Sequence, residues 1–235
     1  MRPVLLIAAN FLREQRWLTL VLVLYAVGMA AVFGLGEKQI SAEDATFFLR
    51  QQSLYAPLFS LFLAVSAIHN ERKSRRILAV LSKALTRRQC VAGLLVGILA
   101  VLGSYCIAIG ISAVWLVHSA RASLGQVWIS LGMTAVASVL VSAVALCFST
   151  FLTPIFATAA TALAVAVPAA LEQVLGRGWD NLLPVYSLVA HVSETTPVRQ
   201  VADWGPVGIA VVETLLFWAL ASWIFAGRDI TTAVE

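Results

Sequence analysis

Charged residues are scarce in this sequence, and their scarcity indicates the class of protein. Asp, Glu, Lys and Arg make up 12% of its 235 residues, whereas 60% of the residues are hydrophobic and the mean hydropathy is +0.90. A soluble globular domain carries about 25% charged residues. The composition therefore excludes an ordinary soluble domain and predicts a polytopic membrane protein.

Cysteines are few, and the motifs of common enzymes are absent. Cys90, Cys106 and Cys147 lie at or inside apolar runs without the spacing of disulfides or metal sites, so we interpret them as small core residues. The sequence contains no HExxH, GxSxG or Walker phosphate-binding pattern. Its three histidines are scattered over loop and span-end positions. We therefore expect no catalytic site and no metal site in this chain.

Positive charge is concentrated in residues 70–89, which we call the basic segment. It holds seven of the sixteen Lys and Arg residues against one acid, Glu71, and apolar runs flank it on both sides. Positive charge beside a membrane span is retained on the cytoplasmic side. Because the basic residues follow span ends, we expect them to face anionic lipid or a protein partner and not nucleic acid.

The basic segment also has a helical pattern. Its apolar residues recur at spacings of three and four, which predicts a short helix with one apolar face; they are Ile77, Leu78, Val80, Leu81 and Leu85. Two interpretations are open. The segment is either a solvated loop that only sets topology, or a helix that docks a cytoplasmic partner.

The apolar runs predict an all-α fold in which one domain crosses the membrane six times, with both termini in the cytoplasm. The predicted spans are residues 17–36, 52–69, 91–117, 127–148, 155–171 and 206–226. Residues 3–15 have an amphipathic pattern that predicts an interfacial helix. Residues 172–204 are mixed in character and are expected to be external. The lipid bilayer is therefore one expected partner of the chain. We expect this bilayer to be a bacterial-type inner membrane.

One acid falls inside a predicted span. Glu213 lies seven residues after Pro206, and at 1.5 Å per residue this is roughly 10 Å below the outer end of its helix. Acids at such depth face a bundle interior or a wet cavity, and they often mark a transport pathway. The alternative is a hydrogen-bonded Glu213 that only holds helices together.

The order of residues in the basic segment resembles that of a known family. Glu71 and Arg72 are followed by an apolar middle and then by Arg87. In ABC-2 permeases, the membrane subunits of type 2 ABC exporters, a segment after the second span reads approximately E-R-x-x-G-T-L-x-x-L-L-S-x-P-x-S-R, followed by Gly-Lys. The further matching positions are Ile77, Val80, Leu81, Ser82, Thr86 and Gly93. The sequence departs from the pattern at Arg75, Arg76, Ala84 and Leu94.

The end of the chain resembles the same family, because residues 225–230 read FAGRDI where the family closes on F-x-R-R-D-L. An interfacial helix, six spans and cytoplasmic termini extend the resemblance over nearly the whole chain at the level of architecture.

The resemblance implies a permease subunit that dimerises and pairs with two separate ATP-binding subunits, with the basic segment as coupling helix. It implies that Glu71, Arg72 and Arg87 form the polar part of that contact and that Leu78 and Leu81 form its apolar part. ATP and Mg²⁺ would bind to the partner subunit, and this chain would hold no cofactor. The main alternative is a non-transporting membrane scaffold whose basic segment holds a partner or anionic lipid; an intramembrane enzyme has less support.

The predicted orientation can be tested by thiol labelling in a cysteine-free background. Ser74→Cys and Lys83→Cys should be shielded from an impermeant reagent in intact cells, because both fall in the basic segment. Glu43→Cys and Asp180→Cys should be labelled. Labelling of Ser74→Cys from outside would reverse the orientation and remove the basis for a cytoplasmic docking helix.

Overall fold

The computed structural model describes residues 2–36, 42–73, 87–119, 124–175 and 204–227, and every regular element within them is an α-helix. These helices are α1 (Arg2–Glu14), α2 (Arg16–Gly36), α3 (Ala42–Lys73), α4 (Arg87–Ser119), α5 (Leu124–Ser149), α6 (Pro154–Leu175) and α7 (Trp204–Gly227). The predicted all-α class is thus confirmed for the described residues.

Three helices form the core of the bundle. α5 packs against α3, α4, α6 and α7, while α4 packs against α1, α2, α3, α5 and α7. In the apolar stretches of α3, α4 and α5, at least 56% of residues are buried, compared with 17% in α2 and 22% in α7. α2 and α7 therefore keep most of their apolar surface for lipid or for another chain.

Five of the described helices are long and apolar enough to cross a membrane. About 20 residues of helix are needed for a hydrocarbon core of about 30 Å. The qualifying stretches are Arg16–Leu35, Asp44–Asn70, Arg88–His118, Val127–Ser149 and Val207–Gly227. One of the six predicted spans, the fifth along the chain at residues 155–171, is not among these stretches and stays a prediction. That stretch falls in α6, whose described apolar part, Pro154–Val167, is shorter than the required length.

α3 extends well beyond the second predicted span. It begins at Ala42 instead of residue 52, so part of the stretch between the first two predicted spans is helical. The prediction followed hydropathy, which reports the preference for lipid and not helix formation itself. Phe48 and Leu49, in the added part, are buried in the core. Packing against the bundle therefore continues the helix through a charged stretch.

Two contacts establish which helix ends lie together. The Ser149 hydroxyl at the end of α5 donates a hydrogen bond to the Val65 carbonyl in the last third of α3, over 3.2 Å. Val91 near the start of α4, Cys147 of α5 and Phe225 near the end of α7 belong to one buried cluster. The ends of α3, α5 and α7 and the start of α4 thus lie at one end of the bundle.

α1 lies on α4 at this same end, where two glycines leave room for it. A Cβ atom at Gly93 would come within 2.7 Å of the Ile7 Cβ, and one at Gly97 within 2.8 Å of the Phe11 ring. Both distances are too short for real carbon atoms, so only glycine permits this approach. Because α1 and the starts of α2 and α4 carry arginines, we call this end of the bundle the basic end.

Replacing Gly93 tests the docking of α1. Gly93→Ala should lower the free energy of unfolding, because overpacking costs about 1–3 kcal/mol and outweighs the helix-propensity gain of about 1 kcal/mol. Gly103→Ala is the matched control, since nothing lies within 4 Å of a Cβ there. The measurement is thermal unfolding in detergent. If both variants shift the melting temperature equally, the proposed close contact between α1 and α4 is wrong.

Candidate functional site

The basic end brings together the two flanks of the basic segment. α3 ends at Lys73 and α4 begins at Arg87, and these two helices pack against each other. Glu71 and Arg72 lie in the last turn of α3. Residues 74–86, including Leu78 and Leu81, lie outside the described residues.

The arginines of α1 and α2 lie at the same end as these flanks. Arg13 is in the last turn of α1, Arg16 is the first residue of α2, and both side chains are exposed. Arg88 is exposed at the start of α4. The basic end therefore presents positive charge from three helices. This arrangement can bind acidic protein surface or phosphate groups.

A second candidate site is a polar cluster buried between α3, α4 and α5. The Tyr105 hydroxyl donates a hydrogen bond to Oε1 of Gln52, and a hydrogen bond of 2.9 Å joins the hydroxyls of Ser53 and Thr134. Gln52, Ser53, Tyr105 and Thr134 are all buried. Lipid is as apolar as the side chains that face it, so polar contacts between helices help to hold membrane helices together.

The cluster contains one incomplete group. Nε2 of Gln52 is buried and has no hydrogen-bond partner among the described residues, and the Gln52 residue is only 1% exposed. An unpaired buried amide normally costs about 1–3 kcal/mol. The side-chain amide of Gln52 thus has an N–H donor that no other residue of the cluster accepts.

Hydroxyl groups extend the polar cluster along α5. Ser130, Thr134, Ser138 and Ser142 are spaced four residues apart, so they form one buried stripe. The hydroxyls of the last three each donate to the carbonyl four residues earlier, over 2.8 Å. This pairing satisfies the hydroxyls within α5, so the helix can bury them without other partners.

Aromatic rings surround the same region. Tyr105 meets Phe59 edge to face with 5.6 Å between ring centroids, and Tyr25 of α2 meets both Tyr55 and Phe59 of α3. These edge-to-face contacts tie α2 to α3 beside the polar cluster.

Glu213 lies on α7, away from the ends of that helix. It is the tenth residue of Trp204–Gly227, and its side chain is half-buried. The next residue, Thr214, donates its hydroxyl to the Ala210 carbonyl over 2.7 Å. The role of Glu213 in a transport pathway stays a prediction, and so does the alternative in which it only holds helices together.

Sequence reasoning missed the polar cluster. Gln52 was assigned to the outer edge of a span, whereas α3 continues ten residues to its N-terminal side, to Ala42. The signal that could have revealed it is the run Gln51-Gln52-Ser53, because adjacent amides are rare beside an apolar span. Among the described residues, no three His, Cys, Asp or Glu side chains group to hold a metal.

Comparisons with known proteins add no assignment. No model of a known protein family matches the chain, and no curated protein matches it. The functional argument therefore depends on the residues and their arrangement.

The contribution of the polar cluster can be measured with a double-mutant cycle. Tyr105→Phe should lower the free energy of unfolding by roughly 0.5–1.5 kcal/mol, because it leaves a second Gln52 atom unpaired. Adding Gln52→Leu should recover much of that loss, since removing both partners is close to neutral. Tyr55→Phe is the control, because the Tyr55 hydroxyl is only half-buried and accepts a long bond of 3.4 Å. Additive effects of the two substitutions would argue against the Tyr105–Gln52 bond.

Proposed function

We propose that the chain is the membrane-spanning permease subunit of an ATP-driven ABC transporter of the ABC-2 type, acting as an exporter. Its basic end would dock a separate ATP-binding subunit in the cytoplasm. The observation that carries the proposal is the placement of α1, the end of α3 and the start of α4 at one end of the bundle. This is where the resembling segment, from Glu71 to Arg87, is attached.

The mechanical argument concerns α3 and α4. They contain 32 and 33 residues, so each is roughly 48–50 Å long and exceeds a hydrocarbon core of about 30 Å. Both pack along the core of the bundle. If a partner binds residues 70–89 and then moves, the two rigid helices would transmit that movement into the membrane.

The orientation follows from charge. Arginines cluster at the basic end, and positive charge stays in the cytoplasm. If α6 also crosses the membrane, as the fifth span, the chain would cross six times, both termini would be cytoplasmic, and residues 172–204 would be external. A bacterial-type inner membrane fits this topology.

The proposal assigns ATP and Mg²⁺ to the partner subunit, so this chain needs no catalytic residue of its own. A second permease subunit would pack against the chain, and the sparsely buried α2 and α7 offer surface for it. Glu213 on α7 would then lie near the pathway between subunits. The competing proposal is a scaffold subunit, which would bind a partner through the basic end without ATP-driven transport.

Substitutions in the basic segment test the docking role. Arg87→Glu, or Leu78→Asp combined with Leu81→Asp, should leave insertion intact because many positive charges remain. Either change should release the ATP-hydrolysing partner or uncouple it, with the larger effect from the apolar pair, since burying an unpaired Asp costs several kcal/mol, on the order of 3–5. The measurements are partner pull-down and ATP hydrolysis.

Arg50→Glu is the control for charge reversal, because Arg50 is exposed on α3 near the opposite end of the bundle. It should retain the partner. If all basic-segment variants retain the partner and show normal ATP hydrolysis, the basic segment only sets topology and the docking role is wrong.

A further inference from the structure

The turn between α1 and α2 carries a polar pocket that is open to the surface, which we call the corner cavity, and the proposed transport function does not use it. It has a volume of about 460 Å³ and is lined by Asn10, Arg13, Glu14, Arg16 and Trp17. Two guanidinium groups and one carboxylate leave the lining with a net positive charge.

The backbone holds this corner in a defined shape. α1 and α2 are separated only by Gln15. The backbone amide of Gln15 donates to the Phe11 carbonyl over 2.9 Å, and the backbone carbonyl of Gln15 accepts from the Thr19 backbone amide over 2.8 Å. The hydrogen-bond ladder thus continues from one helix into the next. α1 is in turn fixed on α4 at Gly93 and Gly97. The two arginines are therefore carried by a rigid part of the fold.

The side chains of the lining are also ordered with respect to one another. The Arg16 guanidinium lies over the Trp17 ring, with 5.7 Å from Cζ to the ring centroid. This cation–π contact orients Arg16. Nδ2 of Asn10 donates to Oε1 of Glu14 over 3.4 Å, which engages one carboxylate oxygen on the cavity wall. Arg13 and Arg16 supply planar sets of N–H donors that match the oxygens of a phosphate.

Apolar side chains beside the cavity indicate what kind of phosphate compound fits. Leu5, Leu6, Trp17 and Leu18 are exposed, with Leu6 70% and Trp17 67% exposed. α1 is amphipathic, and Trp with Arg at the start of an apolar span is typical of the membrane interface. A ligand that joins a phosphate to acyl chains satisfies both the arginines and this apolar surround.

We propose that the corner cavity binds the headgroup phosphate of a bilayer phospholipid, held by Arg13 and Arg16. The acyl chains would lie along the exposed apolar side chains of α1 and α2. The site would exist whether or not the chain works with an ATPase.

Lipid retention by the purified full chain tests this site. Native mass spectrometry would count lipids bound after addition of phosphatidylglycerol, phosphatidylethanolamine or diacylglycerol. We expect both phospholipids to be retained and diacylglycerol, which lacks the phosphate, to bind at least roughly tenfold more weakly. Arg13→Gln with Arg16→Gln should lose one retained phospholipid. Arg13→Lys with Arg16→Lys should retain more lipid than the double Gln variant and less than the wild type, because the charge remains and the planar donor sets are lost.

Arg50→Gln is the control, since it removes an exposed arginine that lies outside the cavity and away from the basic end, and it should retain lipid like the wild type. Three results would overturn the proposal: unchanged retention by the double Gln variant at the corner, equal binding of diacylglycerol, or displacement of the lipid by millimolar inorganic phosphate, which would indicate a free-phosphate site. If the Gln variant elutes as an aggregate, the diacylglycerol and phosphate competitions on the wild type decide alone.

Discussion

The close packing of α3, α4 and α5 is the constraint on which the rest of the structure depends. In lipid there is little hydrophobic drive between helices, so association requires dense packing and polar contacts. Small residues and hydroxyls supply both. Thr134 bonds Ser53, and Ser149 bonds the Val65 carbonyl, so α5 is fixed to α3 at two levels along its length. The other helices pack around this core, and their exposed surface is what remains for lipid or partners.

The core of α3, α4 and α5 determines the geometry of the basic end. α1 reaches α4 because Gly93 and Gly97 have no side chains, and the fixed ends of α3 and α4 determine where residues 74–86 begin and finish. A docking partner at this end would therefore act on helices that are already held by buried contacts. The same rigidity makes the corner at Gln15 a defined cavity, so partner docking and lipid binding would share one supporting structure.

Much of the fold could be predicted from the sequence, because long apolar runs require helices in a bilayer. The boundaries of α2, α4, α5 and α7 agree with the predicted spans to within a few residues. The prediction was less successful where packing overrides hydropathy, because α3 continues to Ala42 through charged residues. The pairing of Gln52 with Tyr105 joins residues far apart in the chain, so spacing could not reveal it. Residues 74–86, which carry part of the family resemblance, lie outside the described residues.

The central claim is that the basic end docks an ATP-hydrolysing subunit. The most direct measurement is ATP hydrolysis by the chain purified gently from its native membranes at native expression, compared with a mock purification. The account predicts that vanadate-sensitive hydrolysis co-purifies with the chain, together with a polypeptide that carries a Walker phosphate-binding motif. A chain that purifies stably inserted, without any nucleotide-binding polypeptide and without hydrolysis above the mock level, would contradict it.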